Sequence, residues 1–310
     1  MRLTAYLLPA AAALLSATSS ASAQSLEICV VHNNADHPSI TAIVNGMSDE
    51  APHYDANVTY FDPAFDPQRQ VSMIEDCVAR NADVVVVNAV DPAAVVPALK
   101  SASEAGIPVI MQNSDTNEEG RAFTESYVGS QSFDQGYAVG QMIAAALPDG
   151  GNLAVITGRP GQTDVVQRTA GMQAALADAA SPVMVVAEEP ADWSKDRAMT
   201  VMQDLLTRNP DIDAVFGQDD PMALGAMQAI VAGGYDNVLV FGVNGNIDAC
   251  EAIAAKEMYG TALQLSYLVG VYTVRAAYDV THDRLVPKQI LAPTAPVTQE
   301  NIGEWREQCW

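Results

Sequence analysis

The sequence predicts an α/β protein made of two similar halves, each built on a parallel sheet. Three observations carry that prediction. Short apolar runs alternate with helix-period segments along the whole chain. The apolar runs are continuous, as strands covered on both faces must be. One pattern also occurs twice: Asp, apolar strand, polar residues, Asp-Pro, helix. It reads "DVVVVNAVDPAAV" at 83–95 and "DAVFGQDDPMAL" at 213–224.

In chain order the expected strands are "LEICVV" (26–31), "NVTYF" (57–61), "DVVVVN" (83–88), "IPVIMQ" (107–112) and "NLAVIT" (152–157), then "PVMVVA" (182–187), "DAVFG" (213–217), "NVLVFG" (237–242) and "GTALQL" (260–265). Helices fit between them at 68–81, 133–147, 195–208 and 266–282. Similar strand endings, "IPVIMQNSD" (107–115) and "NVLVFGVNGN" (237–246), support two related halves with a boundary near 127–131. Within "GQDDPMALG", Asp220 is the expected helix cap, because Asp caps free N–H groups and Pro suits the first helical turn. Asp219 is then left as a free carboxylate at a strand end, where open α/β sheets hold ligands.

With 310 residues, 49% of them hydrophobic and 17% charged, the chain is long and apolar enough for two packed domains. A net charge of −23 argues against binding nucleic acid or anionic lipid. The beginning reads as a signal peptide over 1–23: Arg2, the apolar stretch Leu7 to Leu15, and "ASA" at 21–23 with cleavage after Ala23. No later segment is long and apolar enough for a transmembrane helix. Four cysteines, Cys29, Cys77, Cys250 and Cys309, form no metal-spacing cluster, so no metal is expected. Cys29, inside a strand, is expected as a free buried thiol. Cys250 and Cys309 are expected to pair, tying down a segment that would otherwise fray.

The strand ends supply Asn33, Asn34 and His37, then Asn88, Asn113, Arg168, Asp219 and Asn244; Gln264 lies on a late strand and Trp193 precedes a helix. Amides donate and accept as hydroxyls do, an indole face suits C–H surfaces, and one Arg roughly cancels one Asp. The set suits a neutral polyhydroxy compound. Each residue has a structural alternative: asparagines also stabilise turns, Trp193 could be core, and Arg168 could be an exposed helix residue.

The stretch "PADWSKDRAMTVMQDLLTRNPDIDAVFGQDDPMALGAMQAI" (190–230) closely resembles the sugar-type periplasmic solute-binding proteins of ABC transporters, the ribose/galactose-binding group; "VVVVNAVDPAAVVPALKSASEAGIPVI" (84–110) resembles the matching part of their first lobe. The resemblance implies two Rossmann-like lobes with parallel sheets joined by a three-segment hinge, one lobe formed by 24–128 plus 265–291 and the other by 129–264 plus 292–310. It puts sugar-contacting places on Asn88, Asn113, Arg168, Trp193, Asp219, Asn244 and Gln264, and extends to Asn33, Asn34 and His37. It departs from ribose binders in having "NS" at 113–114 for "DR", Asn244 for Asp, Asp219 for Asn, and no phenylalanine in "HPSI" (37–40). A smaller or acyclic polyol, or a differently substituted sugar, fits these changes better than ribose. The implied protein is a periplasmic monomer without cofactor that delivers its ligand to the membrane permease of an ABC importer, or presents it to a chemoreceptor or sensor kinase. An enzyme is the remote alternative: the chain has no Walker lysine loop, GxSxG or HExxH.

Overall fold

Twelve strands divide between two six-stranded sheets in the computed structural model, which describes residues 25–310. The expected signal peptide and its cleavage after Ala23 lie outside the described residues. The first sheet holds β1 (Leu26–Val31), β2 (Ala56–Phe61), β3 (Val84–Val87), β4 (Val109–Gln112), β5 (Ser126–Gly129) and β11 (Gln289–Leu291). The second holds β6 (Gly151–Thr157), β7 (Val183–Pro190), β8 (Ala214–Gly217), β9 (Leu239–Asn244), β10 (Gly260–Gln264) and β12 (Thr294–Thr298). Their orders, β11-β5-β4-β3-β1-β2 and β12-β10-β9-β8-β6-β7, are the same arrangement twice. Only β12 runs antiparallel.

The helices are α1 (Pro38–Glu50), α2 (Pro67–Ala79), α3 (Val96–Glu104), α4 (Glu118–Arg121), α5 (Ser132–Ala146), α6 (Thr163–Asp178), α7 (Lys195–Arg208), α8 (Asp220–Ala232), α9 (Ile247–Ala254), α10 (Ser266–Thr281) and α11 (Ile302–Trp305). They cover both faces of each sheet, and the core follows the two-residue period of the strands. Val84 and Val86 join the cluster under α1 and α10, while Val85 and Val87 join the one under α2 and α3. In the second sheet Val215 faces one side, and Ala214 and Phe216 the other. All nine expected strands form. The three that escaped the pattern, β5, β11 and β12, are short and lack a continuous apolar run.

The repeat is visible in single bonds. Asp83 and Asp213 each precede the third strand of their sheet. Asp83 Oδ2 accepts from Glu27 N at 2.8 Å, and Asp213 Oδ2 from Asn152 N at 2.7 Å. The chain passes between the sheets three times: between β5 and α5, β10 and α10, and β11 and β12. A Cβ on Gly136 of α5 would overlap the backbone of Arg168, so this glycine lets α6 lie close and sets where Arg168 projects.

Two disulfides form. Cys250–Cys309 joins α9 to the segment after α11, as expected. Cys29 is not a free thiol: it is bonded to Cys77, with the Cα atoms 5.9 Å apart. Cys29 points to the α2 face of the first sheet, where Cys77 is buried together with Gln70 and Ile74 of the helix. A strand residue judged singly hides that partner. Non-reducing peptide mapping of exported protein should recover both pairs. Removing either by Cys→Ser, across sequence separations of 48 and 59, should lower stability by about 2–4 kcal/mol in chemical denaturation.

Candidate functional site

Both sheets direct their strand C-termini toward one cleft, and a single cavity there is lined from both lobes. Asn33, His37, Asn113, Arg168, Trp193, Asp219, Asn244 and Gln264 meet around it. An outer opening of about 500 Å³ adjoins the cavity and shares His37, Phe65 and Trp193 with it.

Two expected residues do not reach the cavity. Asn88 is fully buried, with Oδ1 accepting from Ser114 N at 3.2 Å. Its backbone N–H donates to Val31 O as that of Gln218 does to Ile156 O, so Asn88 is the counterpart of Gln218 rather than of Asp219. Gln218 is an internal tie bonded through both ends of its amide, whereas Asn88 is tied through Oδ1 alone and its Nδ2 has no protein acceptor. Asn34 lies at the outer opening, its Oδ1 engaged by Asp36 N at 3.4 Å.

The structure adds Ser39, Ile40, Phe65 and Asp164. Phe65 supplies an aromatic wall that the first loop lacks. It follows β2 as Trp193 follows β7, and the two loops share one backbone conformation. Ala64 and Phe65 have φ of 52° and 61°, and Asp192 and Trp193 have 54° and 64°. Pairs of left-handed non-glycine residues are strained and persist where the surroundings fix them. Each is followed by a helix cap: Asp66 on Gln68 N and Arg69 N, Ser194 on Arg197 N. Comparing "AFDP" with "DWSK" through the repeat was the signal for Phe65. For Asp164 the signal was its position one helical turn before Arg168 on α6. Asn113 and Asn244 are likewise counterparts, with positive φ of 59° and 127°.

The adjacent aspartates exchange their expected duties. Asp219, not Asp220, caps α8: its Oδ1 accepts from Met222 N at 2.7 Å. Its Oδ2 receives His37 Nε2 at 2.9 Å from the other lobe. Ser39 N donates to His37 Nδ1, which leaves Nε2 as the donor to Asp219. Asp220 opens the helix and turns inward. Its Oδ2 accepts from Gly245 N at 2.6 Å and Asn246 N at 3.0 Å, and its Oδ1 from Thr261 Oγ1 at 2.7 Å. Gly242 has no Cβ because one would overlap this carboxyl. Asp220 thus fixes the loop that carries Asn244.

Arg168 is buried, and each of its guanidinium nitrogens donates once: Nε to Gln135 Oε1 at 2.9 Å, Nη1 to Gln218 O at 2.6 Å, and Nη2 to Gln264 Oε1 at 3.3 Å, which leaves one N–H on each terminal nitrogen for the cavity it lines. Its guanidinium also lies 5.7 Å from the Trp193 ring centre. Gln264 Nε2 donates across the cleft to Asn113 Oδ1 at 2.8 Å. Trp193 Nε1 donates to Gln162 Oε1 at 2.6 Å, and its ring rests against Gly158, where a Cβ would collide with it. Burial raises the Asp164 carboxyl above the usual range, opposed chiefly by Arg168. Burial likewise holds the Asp220 carboxyl up at about 7, against its three hydrogen bonds.

The sequence profile of the family described as periplasmic binding protein domain matches residues 28–283. The ribose import binding protein of Bacillus subtilis (strain 168) is 33% identical over 265 residues, covering 86% of this chain and 85% of that protein. A solved ABC transporter solute-binding protein from Mycobacterium smegmatis, with bound glycerol, is 31% identical with a TM-score of 0.85, covering 91% of this chain and 96% of the other. Another, from Bacillus halodurans C-125 with bound myo-inositol, is 28% identical with a TM-score of 0.87, covering 93% and 100%.

Two substitutions separate the aspartates. Asp220 titrates higher in the folded chain than in the unfolded one. The stability it contributes is therefore complete below about pH 4 and lost as pH rises through about 7. Asp220→Asn reproduces the protonated carboxyl: its oxygen can accept from the two amides while its NH₂ donates to Thr261. Urea denaturation at pH 5 and pH 8 should show the variant's stability falling less over this interval than the parent's; an equal fall removes Asp220 from the account. Asp219→Ala should cost about 0.5–2 kcal/mol through loss of the cap, measured in the same way.

Proposed function

The chain belongs to the sugar-type periplasmic binding proteins of ABC transporters, and from that premise we propose that it captures a neutral polyhydroxy ligand, sugar or polyol, between its lobes and delivers it to the permease of an importer. One observation carries the reading most directly. Side chains from opposite lobes, His37 with Asp219 and Asn113 with Gln264, converge on one buried cavity. A ligand placed there touches both lobes at once, so its binding favours the closed arrangement over an open one.

The lining suits hydroxyl groups. Amide side chains at Asn33, Asn113, Asn244 and Gln264 offer both donors and acceptors. Asp219 offers a charged acceptor already held in place by its cap bond. Arg168 orients Gln264 through one of its three protein bonds and keeps two N–H groups to offer to a hydroxyl. In this reading the chain works in the periplasm as a monomer, after removal of residues 1–23, with residues 24–128 plus 265–291 as one lobe and 129–264 plus 292–310 as the other. It performs no catalysis.

The test is thermal unfolding of the mature chain with pentoses, hexoses, tetritols, pentitols and inositols. A ligand at 100 times its Kd should add about 2.7 kcal/mol of stability. If no compound raises the unfolding temperature, the reading fails. With the compound found, Asp219→Ala should weaken binding roughly ten- to a hundredfold, the worth of a charged hydrogen bond of about 1.5–3 kcal/mol; calorimetry reads the change.

A further inference from the structure

We propose that Gln162 is a positioning residue for ligand capture: it is no part of the cavity wall, and it links Trp193, which is, to the backbone of the opposite lobe; this rests on the function proposed above and names a residue through which that function is set.

The first observation is an unusual helix start. Gln162 occupies the N-cap position of α6, where Ser, Thr, Asp and Asn are favoured because a short side chain reaches a free N–H. Its longer side chain makes no cap bond. It is 2% exposed and spans two other groups instead. Oε1 accepts from Trp193 Nε1 at 2.6 Å within the second lobe, and Nε2 donates to Val90 O of the first lobe at 3.1 Å. Neither Gln162 nor Val90 lines the cavity or its outer opening. A ligand therefore does not compete for this bond, whereas His37, Asp219, Asn113 and Gln264 all face the ligand.

The second observation is that both ends are set within their own lobes. An indole N–H can only donate, so it claims the amide oxygen of Gln162 and turns the NH₂ away from itself. The indole is held by its contact with Gly158 and by the left-handed backbone of Asp192 and Trp193. In the first lobe Gln70 is fully buried. Its Nε2 donates to His32 O at 2.9 Å and Asn88 O at 2.8 Å, and its Oε1 accepts from Val90 N at 2.8 Å. Gln70 thereby fixes the backbone that carries the Val90 carbonyl. Only the bond from Gln162 to Val90 crosses between lobes, so closure makes it with little left to order.

The third observation is the company of Gln162. The same loop crosses twice more: the Arg159 guanidinium lies 4.2 Å from the Phe65 ring centre, and Thr163 Oγ1 donates to Asp115 O at 3.4 Å. Of these three side chains, only Gln162 is also hydrogen-bonded to a wall residue of its own lobe. Ligand contact with the indole and the bond to Val90 both require one ring position, so each favours the other. In an open arrangement water serves the Gln162 NH₂ and the Val90 carbonyl. In the closed one, a missing donor leaves that carbonyl buried and unpaired, which is costly. Loss of the donor therefore penalises the closed state alone, and the ligand leaves faster.

Calorimetry and stopped-flow tryptophan fluorescence of the mature chain with D-ribose, D-galactose, erythritol, xylitol and myo-inositol test the proposal. With a compound that binds, Gln162→Met should raise Kd roughly five- to fiftyfold. The change should lie in koff, with kon within about threefold of the parent's. Gln162→Glu keeps an acceptor for the indole and loses the donor to Val90, so it should weaken binding as much, with the second lobe's own bond retained. Trp193→Phe keeps a ring and removes the N–H; its calorimetric loss should be smaller in the Gln162→Met background than in the parent by about threefold or more. Additive losses, a loss carried by kon, or Gln162→Glu binding as tightly as the parent each overturn the proposal and leave the proposed function standing. Absence of binding of all five compounds by the parent removes the proposed function, and this inference with it.

Discussion

Asp219 uses its two oxygens on two different lobes. A helix that begins in the interior has N–H groups that water cannot satisfy, and an unpaired one is costly. One carboxylate oxygen settles that need at Met222. The other cannot be left bare either, because Asp219 is fully buried, and His37 of the first lobe supplies its donor. The requirement that starts α8 therefore also creates the contact across the cleft. A second carboxylate beside it adds like-charge repulsion, which contributes to the high titration of Asp220. That group is directed into the loop after β9 instead, where two backbone amides and Thr261 receive it.

The strands were legible in the sequence because burial on both faces writes a continuous apolar run, and "DVVVVN" admits no other reading at that length. Side-chain direction at strand ends was not legible to the same degree. A shift of one residue turns a side chain from the cleft to the interior. Asn88 and Asp219 are both polar residues at strand ends in the two Asp-Pro motifs, but backbone pairing aligns Asn88 with Gln218, and only Asp219 faces the cleft. The same kind of ambiguity exchanged the duties of Asp219 and Asp220: both can cap, and only the extended conformation at Asp219, with φ −142°, decides between them. Cys29 was misread because its partner lies on a helix 48 residues away in sequence, where pattern within a strand carries no information.

The internal repeat explains why much of the site could still be found. Corresponding loops in the two halves have corresponding backbones, seen in the paired left-handed residues at Ala64–Phe65 and Asp192–Trp193. Each pair turns an aromatic ring toward the cleft just before a helix cap. The backbone solution is common to both halves, and the side chains differ: Phe against Trp, Asp66 against Ser194. A symmetric frame thus presents an asymmetric surface.

Gln264 shows how a chain crossing can itself become part of a site. β10 ends at this residue because the chain leaves for α10 and the other lobe. Its carbonyl lies beyond the pairing with β9, which stops one residue earlier, and the indole of Trp310 donates to it at 2.7 Å. Trp310 is positioned in turn: its carbonyl accepts from Ile247 N at 2.7 Å, and its neighbour Cys309 is bonded to Cys250 of α9. With the backbone held, the Gln264 side chain spans the cleft. Its oxygen receives Gln135 Nε2 at 3.0 Å as well as Arg168, and its nitrogen is free to donate to Asn113. An amide whose oxygen is fixed by two donors presents its NH₂ in one orientation only. The buried Arg168, besides lining the cavity, therefore fixes which way Gln264 faces, at the point where the lobes are joined.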